Sequence, residues 1–171
     1  MSIHTAIEKA ERARRAIAIA KRKQVAKKLS FQGIELRIDR PAGFVQTGKD
    51  EHGQAWERTY QVDYGFIPGT EGGDGEGLDV YLGSDPEAHL AHWILQRKSD
   101  GTFDEFKLML GFADQRAARS MWEAHTPKRF FGGIETTSVA MMKALLGLDP
   151  QPLFKSASVR EHAFATLLQL A

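Results

Sequence analysis

The stretch Tyr64-Gly65-Phe66-Ile67-Pro68-Gly69-Thr70-Glu71-Gly72-Gly73-Asp74-Gly75-Glu76-Gly77-Leu78-Asp79-Val80 decides how this chain is read. Three carboxylates, Asp74, Glu76 and Asp79, fall within six residues, spaced by glycines, and run into the apolar Val80-Tyr81-Leu82. Glycine lets a backbone curl so that neighbouring acids face one centre, and hard cations such as Mg²⁺ and Ca²⁺ take carboxylate oxygens. Asp and Gly also dominate ordinary solvated turns, so composition alone leaves an acidic hairpin turn equally open. The flanks favour the cation loop: residues 64–68 and 80–82 both read as strands, which make a rigid mount.

Outward from this loop, residues 33–110 alternate apolar and polar positions between Gly and Asp punctuation, a pattern of about five or six short strands. The predicted strands are 36–38, 59–68, 80–82, 93–96 and 106–110. Short strands at close spacing imply a small barrel. Asp100-Gly101 reads as a hairpin turn between the last two. Beyond it, residues 114–124 are predicted helical with Asp114 as N-cap. Residues 130–134 read as a tight apolar connection. A second helix, 139–146, is capped by Thr137 or Ser138 and closed by Gly147.

A second acidic block, Asp100-Gly101-Thr102-Phe103-Asp104-Glu105-Phe106-Lys107-Leu108-Met109-Leu110, completes a pattern. Together with the Tyr64–Val80 stretch it resembles the soluble, Mg²⁺-dependent inorganic pyrophosphatases. Their hallmark is a Tyr-Gly-aromatic-Ile strand followed by Asp-Gly-Asp-Pro-x-Asp-Val. Here Asp74 and Asp79 match the outer aspartates, Glu76 replaces the middle one, and Gly77 replaces the proline. Asp39-Arg40-Pro41 is similar to the acid-x-Pro that ends the family's first barrel strand; Glu35 is a competing alignment on the same strand face. The likeness is nearest to a phage and prophage branch, through residues 63–67, 69–72, 103–112 and 130–134, and spans roughly residues 33–146.

The resemblance implies an α+β fold, an OB-like five-stranded barrel with flanking helices and the site at its mouth. It implies hydrolysis of pyrophosphate by metal-activated water, with Mg²⁺, or alternatively Mn²⁺, as cofactor. Metal ligands would be Asp74, Asp79, Asp100 and Glu105, with Asp39 in the outer sphere, and Glu76 would orient or deprotonate the water. Lys107 and Arg58 would clamp phosphate, joined by the hydroxyls of Tyr60 and Tyr64. Lys49 competes with Arg58, and Gln46 stands at a position basic elsewhere in the family. A different reading keeps the likeness without the activity: a catalytically weak binding or assembly component of phage origin.

Composition sets the remaining limits. With 171 residues, 42% hydrophobic, the chain can build one core of ordinary domain size. It has no cysteine, which excludes disulfides, thiolate metal sites and cysteine nucleophiles. No apolar run approaches the ~18 residues of a membrane span, and no signal core opens the chain, so a cytoplasmic protein is expected. His89-x-x-His92 lacks a neighbouring third ligand, and Gly72-Gly73-x-Gly75-x-Gly77 lacks the helix of a dinucleotide fingerprint.

Up to Arg40, eleven Lys or Arg face only four acids, although the whole chain carries a net charge of +1. A basic arm thus precedes an acidic body. Residues 3–29 read as an Ala-rich helix with a weak apolar edge at Ile7, Ala10, Ala16 or Ile17, Ala20 and Val25. Two uses stand: packing on the body or on a second copy in a homo-oligomer, or contact with nucleic acid or another anionic surface. The expected partition is a basic helix over 1–32, the barrel domain over 33–146, and a linker with a C-terminal helix over 147–171.

Overall fold

The computed structural model describes residues 26–50, 52–70 and 77–148, together with Lys9, Arg12 and Ala13. In chain order the described elements are β1 (Lys27–Phe31), β2 (Ile34–Arg40), β3 (Val45–Lys49), β4 (Ala55–Thr59), β5 (Asp63–Ile67), β6 (Leu78–Leu82), β7 (Leu90–Arg97) and β8 (Phe103–Leu110). Helix α1 (Gln115–His125), a 3-10 turn (Lys128–Phe130), β9 (Phe131–Ser138) and helix α2 (Val139–Leu145) follow. Most of the predicted N-terminal helix and all of the C-terminal one lie outside the described residues. No described helix is long and apolar enough to cross a membrane.

Seven strands form one sheet in the order β1-β2-β5-β6-β8-β7-β9, and β3 pairs with β4 in a separate hairpin. The expected closed five-stranded barrel is corrected to an open seven-stranded sheet, with helices α1 and α2 among the described elements. Gln32, in the β1–β2 turn, donates from Nε2 to the carbonyls of Pro86 and Ala88 at 2.9 Å each. Lys143 on α2 donates to the Gln32 carbonyl. These bonds bring the first hairpin against the chain entering β7, yet no ladder joins β1 to β9 among the described residues. Residues 27–29, expected to end a helix, are strand β1, and the sheet therefore begins inside the segment assigned to the basic helix. The expected strand over 59–68 is also broken, with β4 ending at Thr59 and β5 starting at Asp63.

Side chains alternate across a strand, and that period of two builds two cores from one sheet. On one face Leu36, Ile38, Ile67, Leu78, Val80, Trp93, Leu95, Leu108 and Leu110 pack with Val139, Met142 and Leu145 of α2. On the other, Tyr64, Tyr81, Ile94 and Met109 pack with Ala118 and Trp122 of α1, joined by Tyr60. Burying a side chain of Leu or Phe size contributes about 1.5–3 kcal/mol, so each helix is held mainly by its few inward residues. Asp79 lies between Leu78 and Val80, and Lys107 between Phe106 and Leu108, so both must face the second core. That face carries the buried charges.

The helices begin where their caps place them. Asp114 accepts from the Ala117 N–H at 2.8 Å and Ser138 from the Met141 N–H at 3.0 Å. Gly65 sets the approach of β2 to β5, since a Cβ there would lie 2.0 Å from the Arg37 carbonyl oxygen. Because backbone cannot rotate away as a side chain can, Gly65→Ala should cost about 3 kcal/mol, the upper end for overpacking. A lowered urea midpoint is the expected result; an unchanged midpoint would show that the two strands tolerate separation.

Candidate active site

The parallel pairing of β6 with β8 sets Asp79 directly beside Lys107. Lys107 Nζ donates to Asp79 Oδ2, to Glu105 Oε1 at 2.8 Å, and to the Tyr64 hydroxyl at 3.1 Å. Tyr64 in turn donates to Asp79 Oδ2 at 2.6 Å. Asp79 and Lys107 are only 9% and 7% exposed, so this is a buried cluster of two carboxylates about one ammonium. Burial opposes the charge on Lys107, but the carboxylates of Asp79 and Glu105 beside it hold its pKa well above the ordinary lysine value. Desolvation raises the Glu105 pKa despite the opposing pull of Lys107. It also drives Tyr64 far up and Tyr81 to about 12, so both phenols stay protonated donors.

These groups open into a cavity of about 300 Å³. Tyr64, Glu105 and Lys107 form its floor, Arg58 reaches it from the β3–β4 hairpin, and Thr126, Pro127 and Phe130 wall it beyond α1. The Arg58 guanidinium lies 5.3 Å from the Trp56 ring and 6.0 Å from the Tyr60 ring, which steer it without neutralising it. The Tyr60 hydroxyl donates to Gln46 Oε1 at 2.8 Å, so Tyr60 acts here as a buried strut.

Of the residues read from sequence, Asp79, Glu105, Lys107 and Tyr64 meet, and Arg58 lines the same cavity. Asp100 is not brought to it. Its exposed carboxylate caps the β7–β8 turn, accepting from the Thr102 N–H at 2.9 Å and the Thr102 hydroxyl at 2.6 Å. Those two bonds lower its pKa. Asp39 lies on β2 within the irregularity between Ile38 and Arg40, with Oδ1 buried. Glu35 is engaged with Lys28 and Arg37. Asp74 and Glu76 lie outside the described residues.

Several residues escaped the sequence reading. Arg40 lays its guanidinium 4.9 Å from the Tyr64 ring and 5.6 Å from the Tyr60 ring. Gln96, Arg97 and Lys98 line the cavity from the end of β7. The Arg97-Lys98 pair just before Asp100-Gly101 was the available signal, since a turn at the edge of an acidic site gives paired cations a target.

His125, beneath Tyr60 and Tyr81, was also missed. Its Nε2 accepts from the Gln61 N–H at 2.9 Å, and its Nδ1 lies 2.7 Å from the Met121 carbonyl. A backbone N–H can only donate and a carbonyl only accept, so the ring is neutral with its proton on Nδ1. Burial lowers its pKa from 6.5, and nearby Arg58 adds to that. A histidine with a depressed folded pKa adds stability that is complete above the unfolded value near 6.5 and lost as pH falls. His92 is shifted the same way by burial. We expect the melting temperature to fall between pH 7 and pH 5, and His125→Phe to flatten that slope. An identical slope in the variant would remove His125 from the pH response.

Residues 18–147 match the sequence profile described as Inorganic Pyrophosphatase. The chain belongs to the inorganic pyrophosphatase family. A comparison with curated proteins found no match. The family's activity is hydrolysis of pyrophosphate, and its members generally use divalent metal ions. Among the described residues of this pyrophosphatase-family chain, no three His, Asp or Glu stand together as a metal set. The donor chemistry nevertheless suits a hard cation: Asp79 and Glu105 offer carboxylate oxygens, their partner is a single ammonium, and the sequence holds further carboxylates.

Proposed function

We propose that this chain hydrolyses inorganic pyrophosphate with Mg²⁺, as a member of the phage-type branch of its family. The observation that carries this reading is the buried Tyr64–Asp79–Lys107–Glu105 cluster opening into a cavity that Arg58 also lines. Asp74, Asp79 and Glu105 would hold the metal, with Asp39 behind them. Asp100 would join only by leaving Thr102. When bound, divalent ions lower the pKa of water and offset the charge of the substrate.

The chain's own residues do the rest. Lys107, a compact point charge, would hold one phosphoryl group by turning one of the three donors now given to Asp79, Glu105 and Tyr64, as a cation takes over the carboxylates. Arg58, whose planar fork suits phosphate oxygens, takes the other from the hairpin side. Tyr64, kept protonated by burial, has its donor committed to Asp79 and so fixes the carboxylate rather than the substrate. Glu76 would orient the water and accept its proton. A site on the α1 face of the sheet fits one domain, with the basic N-terminal segment left for a second copy or an anionic surface.

The test is phosphate release from pyrophosphate. Turnover with Mg²⁺ or Mn²⁺, lost on chelation and inhibited by Ca²⁺, is the expected result. Indifference of both turnover and melting temperature to all three ions would sink the metal assignment. A second reading, a catalytically weak binding component, is favoured by one feature: Glu76 stands where the family pattern has the shorter Asp.

A further inference from the structure

Arg58 reaches the cavity on a hairpin that pairs only with itself, so that hairpin sets its surroundings. Gln46 stands directly opposite Arg58, and Gly48 directly opposite Trp56. Alternation puts these four on the half-buried face, while Glu57, the acid next to Arg58, stands on the exposed one.

Gly48 is not required by its backbone. Gly43 and Gly53 nearby have φ of 86° and 78°, which favour glycine, but Gly48 has no positive φ. Space is what calls for it. A Cβ at Gly48 would lie 2.6 Å from Cε2 and 3.1 Å from Nε1 of Trp56, so the indole rests on bare backbone. A glycine inside a strand weakens it and often marks such a close approach.

The seated ring lies beside Arg58. The guanidinium is 5.3 Å from the Trp56 ring centroid and 6.0 Å from that of Tyr60, two residues to either side, which is cation–π range. Tyr60 is fixed in turn by its bond to Gln46 Oε1. Among the described residues Arg58 forms no hydrogen bond or ion pair, so the two rings are what hold it. Tyr60 belongs to the second core, whereas Trp56 belongs to neither and packs against Gly48 and Arg58.

We propose that Trp56, seated on Gly48, is a positioning residue that holds the Arg58 guanidinium ready for a phosphoryl group, the anion that the hydrolytic reading above, on which this rests, gives to Arg58. An arginine side chain loses rotamer freedom when it grips an anion, and one already held against a ring has less to lose. A ring face attracts the cation without using its in-plane N–H donors, so the fork stays open to phosphate oxygens.

The experiment is a double-mutant cycle between Trp56 and Arg58, on the full chain with Mg²⁺ and pyrophosphate. Trp56→Ala should raise KM about fivefold, the weight of a cation–π contact, with kcat within about twofold. Trp56→Phe, which keeps a ring face, should recover most of that loss. Gly48→Ala, which keeps the tryptophan but lifts it from its seat, should reproduce it. In an Arg58→Ala background Trp56→Ala should change nothing further, because its effect passes through the guanidinium. A merely structural tryptophan would raise KM by the same factor with Arg58 or without it, and that additivity would overturn the proposal. An unchanged KM in Trp56→Ala would overturn it too, and an unchanged KM in Gly48→Ala would overturn the seat. If pyrophosphate is hydrolysed and Arg58→Ala does not alter KM, Trp56 has nothing to position, and the proposal falls while the hydrolytic reading stands. If pyrophosphate binds without turnover, the same cycle is read in Kd: non-additivity there upholds the positioning role as the hydrolytic reading falls. Pyrophosphate neither bound nor hydrolysed overturns both.

Discussion

Lys107→Met should lower the stability of the fold by about 3–5 kcal/mol, the cost of leaving buried charge without its partner. Methionine keeps the length and volume of the side chain, so packing against the neighbouring strands changes little. What it removes is the ammonium that Asp79 and Glu105 share. The two carboxylates must then repel each other or take up protons, and lowering the pH should recover part of the loss. A divalent cation should recover more. If Asp79 and Glu105 are metal ligands, Mg²⁺ replaces the missing charge at the same place, and urea unfolding of the variant should depend more steeply on Mg²⁺ than that of the wild type. Equal Mg²⁺ dependence would place the metal elsewhere. A loss below about 1 kcal/mol would mean the pair is solvated like a surface salt bridge.

The same cluster shows what the amino-acid order reveals. Asp79, Glu105 and Lys107 could be picked out because the two acidic blocks that carry them resemble the pyrophosphatase pattern. Their meeting could not be derived from period or propensity. It depends on β6 pairing parallel with β8, a crossover that leaves no local mark. Asp100 shows the converse. It sits in the right acidic block, but Asp before Gly is also a turn-former, and the turn claims its carboxylate.

The barrel expectation failed at strands with poor β signatures. Lys27-Lys28-Leu29 continues a Lys- and Ala-rich helical run, and Phe131-Gly132-Gly133 carries two glycines that usually punctuate. Tertiary pairing overrides both: β1 zips onto β2 from Phe31 to Lys27, and β9 follows β7 from Ser138 to Phe131. Each of these edge strands is stabilised by a partner distant in composition from itself, which a local window cannot register. The helices were better marked, since Asp114 and Ser138 announce their starts chemically. Arg40 and His125 gave no such notice, because each acts through ring faces of tyrosines whose positions only the fold supplies.

Glu76→Gln should reduce turnover about 10²- to 10⁴-fold, the usual weight of a positioned general base. The amide keeps the length and shape of the side chain but neither accepts a proton at neutral pH nor carries charge. Asp79 and Glu105 are untouched by the change, so Mg²⁺ should still raise the melting temperature of the variant. That split between turnover and metal binding is what a water-orienting role predicts; loss of both would make Glu76 a ligand instead. The extra methylene relative to the aspartate of the family pattern sharpens the test, since a displacement of ~1 Å can cost on the order of a hundredfold in rate. If the site is built around the longer side chain, Glu76→Asp should be slower than the wild type. If the wild type is inert and Glu76→Asp gains turnover, glutamate is what silences the site, and the binding reading replaces the enzymatic one. Equal turnover in wild type and Glu76→Gln would leave the water to the metal ions alone.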